Sequence, residues 1–120
     1  MAFMAGNNNK RLDTRTLIIT AATDDDLSDA VDIGTAKVVG LVMPSGWTAA
    51  NIQFQAAAPG SATFNQVIDA TGAVVTVQNP SASKHIVLSP YGIEGIGKLK
   101  ISTTAGQAAN RTFTLILKDD

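Results

Sequence analysis

The stretch that most constrains this chain is residues 37–57, where Val38-Val39-Gly40-Leu41-Val42-Met43 leads through Pro44-Ser45-Gly46-Trp47 into the alternating Asn51-Ile52-Gln53-Phe54-Gln55. The first run is short, β-branched and closed by a proline, which fits a strand buried on both faces better than a helix. The second sends Ile52, Phe54 and Ala56 to one face and Asn51, Gln53 and Gln55 to the other, the period of a strand with one wet face. Trp47, the only tryptophan, stands at the hinge between them. It is expected to cap one end of a core between two sheets, with its indole N–H on a loop carbonyl.

The same pattern recurs along the chain. Thr16, Ile18 and Thr20 alternate with Leu17, Ile19 and Ala21, Val31 and Ile33 with Ala30 and Asp32, and Phe64, Gln66 and Ile68 with Asn65 and Val67. Residues 63–69 and 73–78 flank Ala70-Thr71-Gly72 and read as a hairpin. Further strands are predicted at 84–88, 98–103 and 111–118, the last with Phe113, Leu115 and Leu117 facing one way. About eight or nine short strands between Gly, Pro, Asn and Ser turns, with no helix, predict an all-β fold: an antiparallel two-sheet sandwich or jelly roll. Its expected core is Trp47, Ile52, Phe54, Phe64, Leu88, Ile101, Phe113 and Leu115. Residues 13–120 form one domain on this reading, preceded by a flexible arm at 1–12 that has no periodicity. The arm is either a disordered terminus or a tether, with Phe3 as its anchor and Lys10 and Arg11 meeting acidic surface.

Composition bounds the function. With 120 residues, 45% hydrophobic but only 5% aromatic, the chain supports a thin core of Val, Ile and Leu. The absence of cysteine excludes disulfides, thiolate zinc sites and a thiol nucleophile. No apolar run approaches the roughly 20 residues of a membrane helix, and residues 1–12 are unlike a secretory leader, so a soluble protein is expected. A net charge of −1 argues against nucleic acid as a partner, because such binding needs a clustered basic surface. Between Lys37 and Lys84 the only charged residue is Asp69. That middle suits a subunit packed against others, since interface cores are depleted in charge, or else a small β-domain with a neutral polar surface. On the first reading Gln53 and Gln55 present the contact face.

Chemistry is poorly supplied. His85 is the only histidine, so a second imidazole for zinc is missing, and no Gly-x-Ser-x-Gly elbow accompanies it. It reads as a partly exposed strand residue. Glu94 is the only glutamate and Asp69 an isolated aspartate, too little for a glycosidase pair. Asp24, Asp25, Asp26, Asp29 and Asp32 cluster, yet without the glycine and bidentate glutamate of a calcium loop, so a solvated acidic loop is preferred to a metal site. Gly92-Ile93-Glu94-Gly95-Ile96-Gly97-Lys98 has a phosphate-loop skeleton, but Leu99 stands where Ser or Thr holds magnesium and a strand follows instead of a helix. Asn110-Arg111-Thr112 is a glycosylation sequon by chance. No catalytic residue, metal or cofactor is expected.

Several of these segments together, Ala30-Val31-Asp32-Ile33-Gly34, Val39 to Pro44, Trp47 to Gln55, Thr63-Phe64 and Ala109 to Leu115, resemble a family of small structural proteins of tailed bacteriophages, the head decoration or cement proteins. The most specific piece is Met43-Pro44-x-x-Trp47-Thr48-Ala49-Ala50, and the resemblance spans residues 13–118. Where relatives carry a Ser-x-Asp-Gly-Gly type turn this chain has Ala58-Pro59-Gly60-Ser61, so no ligand role is carried over to that turn. The resemblance implies a β-sandwich made in the host cytoplasm that sits on the capsid surface of the virion. Its partners would be the major capsid protein and copies of itself, in a trimer, with no nucleic acid, membrane or cofactor. The loop pattern also resembles galactose-binding-like modules. That implies an alternative, a carbohydrate- or receptor-binding module of a head fibre or tail, with Trp47 and Tyr91 stacking on sugar rings.

Overall fold

The computed structural model describes residues 12–34, 36–88, 93 and 97–118. The expectations placed on Phe3, Lys10, Arg11, Tyr91 and Glu94 therefore lie outside the described residues. Among the described residues eight strands follow one another: β1 (Leu12–Ile19), β2 (Val31–Gly34), β3 (Lys37–Val42), β4 (Ile52–Ala57), β5 (Asn65–Gln66), β6 (His85–Val87), β7 (Gly97–Thr103) and β8 (Arg111–Lys118). They form two four-stranded antiparallel sheets, in the orders β1-β8-β3-β6 and β2-β7-β4-β5. Strands pair from the ends of the chain inward, β1 with β8, β2 with β7, β3 with β6 and β4 with β5. That nesting is a long hairpin rolled across two sheets, the topology of a jelly roll.

Alternation explains the packing. In β8, Phe113, Leu115 and Leu117 are buried, and in β1 Leu17 lies opposite Phe113. In the second sheet Phe54 of β4 lies opposite Ile101 of β7, both buried. These inward residues, with Ile19, Ile33, Val38, Leu41, Met43, Ile52, Val75, Leu88, Ile93 and Leu99, make one core drawn from both sheets. Fully burying such a side chain contributes roughly 1.5–3 kcal/mol relative to exposure, so the inner faces dominate stability.

Four local expectations are corrected. The run 38–43 is not buried evenly on both faces: a bulge between Val38 and Gly40 shifts the register against β8. Val38, Leu41 and Met43 are buried while Val39 and Val42 are half-buried, because the extra residue lets a continuous apolar run keep one face inward. Leu12, assigned to the arm, begins β1 opposite Lys118. The strand predicted at 63–69 contracts to β5, and 73–78 contributes only bridges, Ile68 with Val74 and Ile52 with Val77. Finally, Phe64 is half-buried instead of core. Its ring lies under the Lys100 ammonium, 4.4 Å from the centroid, a cation–π contact on the outside of the second sheet.

The hairpin turn itself is tightly made. Asp69 Oδ1 accepts hydrogen bonds from the backbone N–H groups of Thr71 (2.8 Å) and Ala73 (3.1 Å) and from the Thr71 hydroxyl (2.6 Å). Gly72, at φ +88°, supplies the left-handed residue that the turn requires.

Candidate functional site

The interiors of the sheets match, whereas their outer faces do not. On the second sheet Gln53 lies opposite Ser102, Gln55 opposite Lys100 and Gln66, and Asp32 opposite Lys98. Gln66 Nε2 donates to Gln53 Oε1 at 3.0 Å. The charge-poor segment 38–83 therefore does not give an uncharged surface around Gln53 and Gln55, because β7 inserts two lysines from outside that segment. Sequence distance and surface distance diverge here because strand order interleaves the chain.

The first sheet has the face that is uncharged at its centre. Outward along β1 are Leu12, Thr14, Thr16 and Ile18, opposite Lys118, Ile116, Thr114 and Thr112 of β8. Ile116 and Thr114 lie opposite Gly40 and Val42 of β3, which lie opposite Val87 and His85 of β6. Gly40 lets these neighbours pack closely: a Cβ there would stand 3.3 Å from Ile116 Cδ1. Three of the four large hydrophobic residues exposed among the described residues belong to this face: Val87 at 74%, Leu12 at 64% and Ile18 at 39%. Its cations, Lys37 opposite Lys118, lie at one end, and His85 is exposed on the edge strand. The centre is threonine, valine and isoleucine.

The segment 43–50 has a structural task. Gln107, only 3% exposed, pairs with the Thr48 backbone twice: Thr48 N–H donates to Gln107 Oε1 and Gln107 Nε2 donates to the Thr48 carbonyl, each at 3.0 Å. Arg111 adds Nε to Gln107 Oε1 (3.1 Å) and a terminal nitrogen to Thr48 Oγ1 (3.2 Å). Beside this clasp Trp47, expected in the core, is half-buried and packs against the core from its boundary, its ring at 83° to Phe113 with centroids 5.6 Å apart. Trp47 Nε1 is buried and has no hydrogen-bond partner among the described residues. An edge-on, half-buried indole held this way is part of the core boundary more than a platform for a sugar ring. Neither Gln107 nor Arg111 was legible as a clasp, because periodicity says nothing about a side chain that mimics a backbone strand.

The acidic loop has two parts. Asp24, Asp25 and Asp26 are exposed, with carboxylate oxygens within 4.8 Å of one another. A hydrogen bond with Asp24 raises the Asp26 carboxyl above its ordinary value, helped by partial desolvation and by repulsion from Asp24 and Asp25. Further on, Ser28 is buried: its N–H donates to the Ile101 carbonyl (2.9 Å) and its hydroxyl accepts from Ile101 N–H (2.8 Å). Asp29 N–H donates to the Ile18 carbonyl (3.0 Å) and its Oδ1 accepts from Ile18 N–H (2.8 Å). Adjacent residues thus stitch β7 of one sheet to β1 of the other. A shallow groove of about 230 Å³ beside this seam is lined by Ile18, Thr20, Thr23, Asp24, Leu27 and Lys100, among others. Its mixture of one cation, acidic side chains and small apolar groups shows no catalytic constellation.

No protein-family model and no curated protein matches this chain.

Proposed function

We propose that this chain is a bacteriophage capsid decoration protein: it binds the outer surface of the assembled head and stabilises it across capsomer boundaries. The observation that supports this reading is the outer face of the first sheet, whose centre carries no charge. Large apolar side chains standing in solvent, surrounded by threonines and free of charge at the centre, suit a broad contact that must shed its water. The jelly roll itself is shared by capsid and lectin domains, so the face carries the reading and the fold does not.

The mechanism is linkage. A protein that binds only the assembled shell lowers the free energy of that state by an amount set by its affinity and concentration, and so resists heat and internal pressure. The major capsid protein is the proposed partner, together with further copies of this chain in a closed ring, a trimer on three-fold positions.

Co-sedimentation with assembled heads tests the proposal. Val87→Lys and Thr114→Lys each place a charge that must be desolvated without a partner, and are expected to lower shell occupancy roughly tenfold or more. Gln53→Lys and Gln55→Lys, beside Lys98 and Lys100, are expected to bind nearly as the parent does. Heads that retain Val87→Lys and Thr114→Lys at parental occupancy would sink the reading.

A further inference from the structure

Among the described residues, the edge of β1 is the longest the sandwich offers. β6 has three residues, β5 two, and β2 four with an irregular register, whereas β1 runs for eight. A long strand edge is a template for another strand, because alternate residues turn both N–H and C=O away from the sheet. In β1 the outward set includes Ile18, whose N–H and C=O both bond to Asp29. By alternation the other members are Thr16, Thr14 and Leu12.

Side chains of the same region occupy that edge. Thr14 N–H donates to Asp13 Oδ1 at 2.8 Å, and the Thr14 carbonyl accepts from the Arg15 guanidinium at 2.9 Å. An ion pair between Arg15 and Asp13 holds the two guards together. Asp29 closes both groups of Ile18. Thr16 stands between two occupied positions, and an incoming strand would meet no two consecutive open outward residues between Thr14 and Ile18.

We infer that Asp13, Arg15 and Asp29 guard the β1 edge against strand addition by a second copy of this chain. The guards satisfy backbone groups locally, so a competing strand must break intramolecular hydrogen bonds before forming its own, and a charged pair lies in its path. The arrangement keeps an otherwise continuous edge from extending the first sheet from one molecule into the next. It is independent of what the outer faces bind.

Sedimentation velocity and infrared spectroscopy of the full chain decide the matter. The double variant Asp13→Ala/Arg15→Ala is expected to self-associate at a concentration at least about tenfold lower than the parent, with an amide I band of intermolecular β-structure. Adding Thr16→Pro should reverse this: its N–H faces outward, so proline removes an edge donor without removing a bond to β8. Asp29→Asn keeps the accepting oxygen and should behave as the parent, while Asp29→Ala should associate. If Asp29→Ala does not fold, seen from its melting curve, the double variant still decides. A double variant that sediments as the parent does, or whose association survives Thr16→Pro, overturns the inference.

Discussion

The two outer faces of this jelly roll rest on equivalent interiors and differ in nearly everything a solvent or partner would meet. The first sheet shows Thr14, Thr16, Ile18, Thr112, Thr114, Ile116, Val42 and Val87, while the second shows Gln53, Gln55, Gln66, Ser102, Lys98 and Lys100. Folding requires only that each strand's inward positions be apolar. Outward positions are released from that demand, and here they diverge into a threonine and aliphatic surface and an amide and lysine surface. Lys98 and Lys100 keep the middle of the second face wet, whereas the first face holds its lysines, Lys37 and Lys118, at one end and leaves a neutral centre beside exposed Val87 that invites cover. The difference separates what the fold needs from what is left for contact.

The strongest test of equivalent interiors is to remove a ring from each. Phe113→Ala in β8 and Phe54→Ala in β4 each delete a fully buried side chain and are expected to cost about 3–5 kcal/mol in denaturant unfolding. A large gap between the two would show that the sheets do not share one core. Next in size is Gln107→Ala. It strips both partners from the Thr48 backbone and one from Arg111, with an expected loss of roughly 1–3 kcal/mol because half-buried groups are left unpaired. Gln107 and Thr48 sit on the crossings β7 to β8 and β3 to β4, so hydrogen exchange should quicken in both sheets together. Exchange confined to one sheet would break the picture of the clasp as a tie between them.

Smaller still is the contact that marks the second face. Lys100→Gln removes the cation over Phe64, a solvent-facing, half-buried interaction expected to contribute about 0.5–1 kcal/mol. It should leave binding through the first face untouched. A loss of partner binding as large as that of Val87→Lys would mean that the wrong face has been assigned.

What the sequence disclosed follows from which interactions are periodic. Alternation in Leu17-Ile18-Ile19, Ile52-Gln53-Phe54 and Phe113-Thr114-Leu115 reports burial directly, and the two-sheet fold follows from it. Phe64 was misplaced because an aromatic at a strand position counts as core in any pattern, yet its neighbour Lys100 comes from a strand 36 residues onward. Gln53 and Gln55 were placed on an uncharged surface for the same reason: the charge-poor run is local, while Lys98 and Lys100 reach them through pairing with β7. The bulge at Val38 to Gly40 hid in an unbroken apolar run. Ser28, Asp29 and Gln107 form hydrogen bonds to backbone far along the chain, and no composition or spacing marks such residues in advance.

The smallest effect concerns the turn at the end of the second sheet's hairpin. The Thr71 hydroxyl first, then the backbone N–H groups of Thr71, Ala73 and Gly72, hold the Asp69 carboxyl below its ordinary value of 3.8. These donors favour the charged form, so the folded turn binds a proton less readily than the unfolded chain. Their contribution is fully present above the unfolded value near pH 4 and is lost as pH falls through the lower folded value. Acidification should therefore loosen the turn first, quickening amide exchange at Thr71 and Ala73 while Thr114 and Ile116 in the first sheet stay protected. Thr71→Val removes the largest cause, and the Asp69 carboxyl should then titrate closer to its ordinary value by NMR. A second sheet that loosens no earlier than the first, or an Asp69 titration unmoved in Thr71→Val, would show that the turn's hydrogen bonds are not what holds that carboxylate charged.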